Sequence, residues 1–372
     1  MTANTLLVTV DSLRYDHYKY MERTREFLGD SHPAAFATIT ATPGSFQSII
    51  GGIYPGEVGI DADTTVVPSI DNEYKLGIST NRFLSERYGY TIGFDDFTEP
   101  SREEEGIKDK VARHMNPKST LYGVASRVWN VVQSVQGTVG EVGREYRAAD
   151  DVVEEFLTKT DGRDDWFGWL HFMEPHHPYN PNDAPVSRSE AQQISRRVLD
   201  GRGSERDNRI AQQLYRGEVE ELDRELARLW DSIPEDTRVV FCADHGELIG
   251  EDGQWGHHKH LLPGILRVPF ATRNVPVESD VVSLVDVPSY LAGEDFGQGR
   301  LDREVAFAAQ SGRQAAMNRD HIATDEGVRT LDGDPADDPQ LARAQQEFTG
   351  SGERPVSKDD LPHDDLEALG YL

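Results

Sequence analysis

Short apolar runs alternate with longer amphipathic stretches along this chain, the rhythm of a mostly parallel sheet covered by helices on both faces. The runs that predict strands are "TLLVTV" (5–10), "YTIGF" (90–94), "WFGWLHF" (166–172), "RVVFCA" (238–243) and "VPFAT" (268–272). Among the amphipathic stretches, "GEVEELDRELARLWDSI" places Val219, Leu222, Leu226, Leu229 and Ile233 at helical spacing. It predicts a helix with one apolar face and a charged outer face.

Two segments read as insertions, 99–165 and 183–212. The first opens on the charged run "EPSREEEGIKDK" and passes through "LYGVASRVWNVVQSVQ", whose apolar positions fit one helix face. An ordinary packed helix is the simpler reading, and a lid or a contact with lipid-linked substrate is the functional one. The second insertion is polar and helix-friendly, a surface excursion. After about residue 300 the chain turns loop-like and acidic ("TLDGDPADDPQ") before a final "DDLPHDDLEALGYL". The expected organisation is a catalytic domain over 1–300 and a small C-terminal subdomain or strap over 301–372.

Composition narrows the setting. The 372 residues carry a formal net charge of -28, from 66 acidic against 38 basic side chains. Self-repulsion at that charge is costly in dilute buffer and weak in concentrated salt, where the Debye length falls to about 3 Å at 1 M. An acidic surface suited to a high-salt cytoplasm follows, and no basic stripe is present for nucleic acid to displace counterions from. The single cysteine, Cys242, excludes an intrachain disulfide framework and a cysteine-rich zinc site. No basic-then-apolar leader opens the chain and no run approaches 18 apolar residues, so a cytoplasmic protein is expected.

Chemistry concentrates where the predicted strands end, which is where parallel α/β sheets collect ligands. The first strand delivers Asp11, the third delivers His171 and then His176 and His177 in "EPHHPY", and the fourth delivers Asp244 and His245 in "FCADHGE". A glycine-rich loop then brings His257, His258 and His260. A lone strand-end aspartate is commonly a turn former. Asp11, Asp244 and His245 together offer two carboxylate oxygens and an imidazole nitrogen, a set that suits one divalent ion: Mn, Zn, Mg or Ca. The stretch "ATPGSFQSII" (41–50) supplies the remaining part. If "SFQSII" starts a short helix, Thr42 sits just ahead of it, and the helix start favours an anion there. Its hydroxyl is a helix cap in the plain reading. In the functional reading a metal activates that hydroxyl toward a tetrahedral phosphorus or sulfur centre. Ser45 is a rival that spacing alone does not separate.

These residues resemble the sulfatase branch of the alkaline phosphatase superfamily. "NTLLVTVDSLRYDH", "SFQSIIGGIYP", "STNRFLSERYGYTIGFDDF", "LHFMEPHHPY", "FCADHGELIGEDGQWGHH", "GILRVPF" and the terminal "LEALGYL" follow one another in that family's order. The resemblance implies an alkaline phosphatase-like three-layer α/β/α sandwich and a metal held by carboxylates. Counted back from Gly52 of the Gly-Ile-Tyr-Pro block, the nucleophile position falls on Thr42. Asp11 matches a metal aspartate, Asp244 and His245 the second metal pair, and His176 and His257 the histidines that contact the transferred group or the leaving oxygen. The chain also departs from the formylglycine sulfatases. Thr42 stands where they need cysteine or serine, Phe46 stands where the motif's arginine belongs, and Ser12 replaces the second aspartate of the tandem pair.

The expectation is a metal-dependent hydrolase or transferase acting on an anionic phospho- or sulfo-ester, with a glycan- or lipid-linked substrate within its range. Thr42, His176 and His257 are the catalytic residues, and the metal sits on Asp11, Asp244, His245 and the Thr42 oxygen. The alternatives are a true sulfuric ester hydrolase without formylglycine and a catalytically silent relative that binds anionic glycan or lipid head groups. The charge also generates a prediction independent of function. The thermal midpoint should rise steadily as KCl goes from about 0.1 M to about 2 M, and a flat or falling midpoint in differential scanning calorimetry would contradict the high-salt reading.

Overall fold

The structure is a computed structural model, and it describes residues 3–56, 59–100, 146–257 and 260–349. Its centre is a six-stranded sheet of β1 (Thr5–Val10), β2 (Tyr74–Ser79), β3 (Asp96–Thr98), β4 (Trp166–Phe172), β5 (Arg238–Ala243) and β6 (Phe270–Arg273). The strands lie side by side in the order β3-β2-β4-β1-β5-β6, and all are parallel except β6, which runs antiparallel to β5. Every residue of β1 and β4 is buried, as a central strand covered on both faces requires.

Helices complete the α/β sandwich. The long α5 (Glu205–Ser232) packs against α1 (Glu22–Leu28), α3 (Ala149–Thr160) and α4 (Arg188–Leu199). A second group joins α2 (Thr42–Gly51) to α6 (Val287–Ala292). Beyond the sheet, β7 (Ala306–Gln310), β8 (Arg313–Met317), β9 (His321–Thr324) and β10 (Gly327–Thr330) form an antiparallel meander, and α7 (Pro339–Glu347) packs on β8 and β9.

Several expectations from the sequence need correction. The run at 90–94 is a set of turns, and the strand lies earlier, at 74–79. Gly93 adopts a φ of +86° and breaks the run, while Tyr90 is still buried in the core. In "YKLGIS" the β pattern is disguised by Gly77, which is required because a Cβ there would meet the Phe97 ring at 2.3 Å. The polar, helix-friendly stretch 183–212 does contain helix, α4 and the first turns of α5, and Ile194, Val198 and Ala211 give it a small core of its own. The helix expected from 217 begins at Glu205, where Ser204 and Asp207 form a capping box. Within the loop-like stretch after 300, residues 306–347 hold the meander and α7, a small C-terminal subdomain. The amphipathic run at 121–136 and the terminal "LEALGYL" lie outside the described residues.

The outer face of α5 is less solvated than its charge suggests. Glu218, Glu221 and Asp223 are buried and accept hydrogen bonds from backbone N–H groups elsewhere. Glu218 takes Asn180 and Glu221 takes Asn182, so the helix clamps the loop that follows β4. Asp223 accepts from the N–H groups of Arg23 and Thr24, each at 2.8 Å, and caps α1, whose own cap residue Met21 provides no side-chain acceptor. Asp223→Ala should therefore lower the unfolding free energy by about 1–3 kcal/mol. Urea denaturation in molar KCl checks this, and an unchanged midpoint would show that water replaces the cap without cost.

Candidate active site

The register of the central strands decides what meets at their ends. Val10 pairs with Phe172 on one side and Ala243 on the other, so the residues after β1 and β5 emerge next to each other. The ladder continues one step: the Asp11 N–H donates to Phe172 O at 2.9 Å and the Asp244 N–H to Val10 O at 3.2 Å. Two aspartates are thereby fixed side by side, both fully buried. Asp244 Oδ1 accepts from the N–H groups of Ser12 and His245, and Asp11 Oδ1 accepts from the Ser12 hydroxyl at 2.8 Å. Among the described residues nothing donates a hydrogen bond to Asp244 Oδ2.

His245 follows on the same turn. Its Nδ1 lies 3.0 Å from Gly246 O, an acceptor, so Nδ1 carries the hydrogen and Nε2 presents a lone pair. That Nε2 lies 3.5 Å from Asp244 Oδ2. Gly246 lets the turn lie directly on the backbone of 264–265: its N–H donates to Ile265 O at 2.7 Å, and a Cβ would meet Gly264 O at 2.2 Å.

Thr42 arrives from a different element. Helix α2 begins at Thr42 itself, with Ala41 as extended cap and Pro43 in the first turn, three residues earlier than the sequence suggests. Proline's fixed φ suits that place. The Thr42 hydroxyl is consequently not spent on a cap: it donates to Asp11 Oδ2 at 3.2 Å and lies 3.4 Å from His245 Nε2. Ser45, the rival, sits one turn on, and its buried hydroxyl makes no hydrogen bond among the described residues. Gly52 ends the helix in the left-handed conformation, φ +61°.

Histidines line the other side. The His257 ring centroid is 4.3 Å from that of His245 and 5.6 Å from that of His176, and His176 stacks on His177 at 4.2 Å. The six residues given catalytic or metal roles from the sequence, Asp11, Thr42, His176, Asp244, His245 and His257, thus fall in one buried cluster. His260 does not join it: it lines a cleft of about 810 Å³ between the sheet body and the meander, together with Arg14, Arg267 and Arg313. His258 lies outside the described residues.

Four further residues belong to the cluster. Asn81 Nδ2 donates to Asp11 Oδ2 at 3.3 Å, and His171 Nε2 lies 3.8 Å from the same oxygen. His177 and His257 both turn Nδ1 toward Glu247 Oε1, at 3.3 and 3.0 Å. Asn81 follows the end of β2, so the strand-end rule would have found it had that strand been recognised. Glu247 lies three residues beyond Asp244 in "DHGE", inside a motif already singled out.

The electrostatics follow from burial. Asp244 is pushed up, first by loss of water and then by the charge of Asp11 beside it. Burial also opposes ionisation of Asp11, but His176, His245 and His171 outweigh it and hold that carboxyl below its ordinary value. For His245 burial favours the neutral ring, and the two aspartates reverse this and raise it. Burial drives His171 and His176 down to about 4. Two carboxylates that compete for charge, an oxygen without a hydrogen bond and an imidazole lone pair all point at the same place. A divalent cation fits them, because it removes the repulsion and uses every open donor.

The sulfatase family profile matches residues 3–288. Among curated proteins, the low-salt glycan biosynthesis sulfotransferase Agl7 of Haloferax volcanii is 34% identical over 111 residues, which are 26% of this chain and 27% of that protein. The match thus spans about a quarter of the relative's length. Among solved structures, a 2-O GAG sulfatase superimposes with a TM-score of 0.62 at 12% identity, over 93% of this chain and 90% of that one. The lipoteichoic acid synthase LtaP of Listeria monocytogenes gives 0.58 at 12%, over 92% and 88%. The phosphonate monoester hydrolase of Silicibacter pomeroyi gives 0.56 at 15%, over 89% and 87%. At these identities the likeness shows the fold.

Carboxylate crowding has a measurable consequence. In chelator, Asp244→Asn should melt no lower than the unsubstituted chain, because it removes an uncompensated buried charge and keeps the acceptor for Ser12 and His245. With manganese at a hundred times its dissociation constant the order should reverse, the unsubstituted chain gaining about 3 kcal/mol and the variant almost nothing. Equal manganese-induced shifts in both proteins would remove Asp244 from the site.

Proposed function

The chain belongs to the sulfatase family, and from that premise we propose that it is a metal-dependent hydrolase or transferase of phosphoric or sulfuric esters with Thr42 as nucleophile. The observation that carries the proposal is the Thr42 hydroxyl, buried, freed from capping and held 3.2 Å from Asp11 and 3.4 Å from His245. Asp11, Asp244, His245 and the Thr42 oxygen would hold the metal, which when bound lowers the hydroxyl pKa and polarises the ester.

The chain's own residues account for the remaining steps. Thr42 Oγ1, its proton already given up to solvent, bonds to the phosphorus or sulfur as the bond to the leaving oxygen breaks, and the Asp11 carboxylate it contacts keeps it in line. Asn81 Nδ2, donating to that carboxylate, keeps it oriented. His257 gives a proton to the departing ester oxygen, and His176 beside it takes up a proton as the anionic ester binds and then donates through Nε2 to the transferred group. Water or a second alcohol then gives its proton to the now neutral His257 and attacks the threonyl ester, and Thr42 Oγ1 leaves with the bonding pair. Attack by water makes the protein a hydrolase and attack by an alcohol makes it a transferase.

Two features support transfer to a glycan alcohol in a salt-rich cytoplasm. One is the kinship with a haloarchaeal glycan sulfotransferase, and the other is the net charge of -28. The threonine also supports phosphoryl chemistry, because it cannot be converted to formylglycine. Rates on 4-nitrophenyl sulfate, 4-nitrophenyl phosphate and bis(4-nitrophenyl) phosphate divide the possibilities, with the phosphate esters expected to be faster.

The nucleophile itself is tested by Thr42→Ala. The variant should keep its circular dichroism and melting behaviour and lose at least about a thousandfold in kcat. Turnover within tenfold of the unsubstituted enzyme would end the assignment.

A further inference from the structure

The carboxylate of Glu247 is fully buried, and among the described residues its ion-pair partners are histidines. Burying such a charge costs several kcal/mol unless its lone pairs are well used, and here they are. Oε1 faces Nδ1 of His257 and of His177, and Oε2 accepts from the Tyr179 hydroxyl at 3.1 Å. The backbone is fixed too, since Arg14 Nη1 donates to Glu247 O at 2.7 Å. An ionised carboxylate has no hydrogen to give, so both ring nitrogens must be donors. The proton of each ring is thereby placed on Nδ1, away from the side left for chemistry.

We infer that Glu247 is the positioning residue for His257, fixing its tautomer and ring orientation so that Nε2 serves the leaving oxygen. The inference rests on the reading of Thr42 as nucleophile and His257 as proton donor. In the step, His257 enters as an imidazolium with Nδ1–H on Glu247. Its Nε2 proton goes to the ester oxygen as that oxygen leaves with the bonding pair, and the ring becomes the neutral Nδ1–H tautomer. Glu247 keeps its charge throughout and never receives the proton. A structural carboxylate would support every substrate equally, whereas a residue acting through His257 matters only where the leaving group needs a proton.

The test compares two esters with Glu247→Gln in the manganese-loaded protein, one with a 4-nitrophenyl and one with a simple alkyl leaving group. Nitrophenolate departs without protonation. The loss in kcat should be about tenfold or more greater on the alkyl ester, and in a His257→Ala background the same substitution should add less than about threefold. Equal losses on both esters, or full additivity with His257→Ala, would overturn the inference. Thr42→Ala, run beside it, reads the nucleophile separately: if it stays active, the reading of Thr42 fails, whatever Glu247 does. Should Glu247→Gln not fold, nitrogen-15 histidine spectra of the unsubstituted protein decide the question. They should show hydrogen on Nδ1 of His257, and a bare Nδ1 would overturn the inference.

Discussion

Asp11 and Asp244 are held together by the hydrogen-bond ladder of three parallel strands, in a place where water cannot separate their charges. The backbone leaves them little choice, because the same ladder that pairs Val10 with Phe172 and Ala243 carries one step further into both aspartates. The repulsion that results pushes Asp244 up and leaves its Oδ2 without a hydrogen bond among the described residues. A protein that retains such a pair needs a cation between them, or gives up one charge.

Much of the surrounding structure serves to bring other groups to that pair. Helix α2 starts at Thr42, so a hydroxyl that would otherwise close a helix end is turned on Asp11 and His245. Gly246 lets the turn after β5 lie against the 264–265 backbone, which fixes His245. Acidic residues of α5 hold the loop after β4 by its N–H groups, and that loop carries His176 and His177. Glu247 then ties His177 and His257 together from behind. The site is therefore held by strand register, a helix start and buried carboxylates acting as acceptors.

Those parts differ in how far they were legible in the sequence. β1, β4 and β5 were read residue for residue, because they are continuous apolar runs that end in chemically conspicuous residues. The strand at 74–79 was missed since its glycine answers to a neighbouring ring, a tertiary demand that no local pattern records. With it went Asn81. The meander after 300 was also hidden, as its strands are short, alanine-rich and interrupted by charges. Counting from Gly52 in the resembling block reaches Thr42, but its release from capping depends on where the helix begins, and that boundary lies three residues before the one the sequence suggests. Glu247 stood in plain view beside Asp244 and His245, and only the distances to two rings distinguish it from an ordinary turn residue.

The measurement that bears most directly on the account is the metal content of the purified protein after exhaustive dialysis against metal-free, salt-rich buffer, read by inductively coupled plasma mass spectrometry. If the paired aspartates exist to hold a cation, one divalent ion per chain remains bound and disappears when Asp11 is replaced by alanine. A metal-free chain that turns over an ester at full rate would contradict the account at its centre.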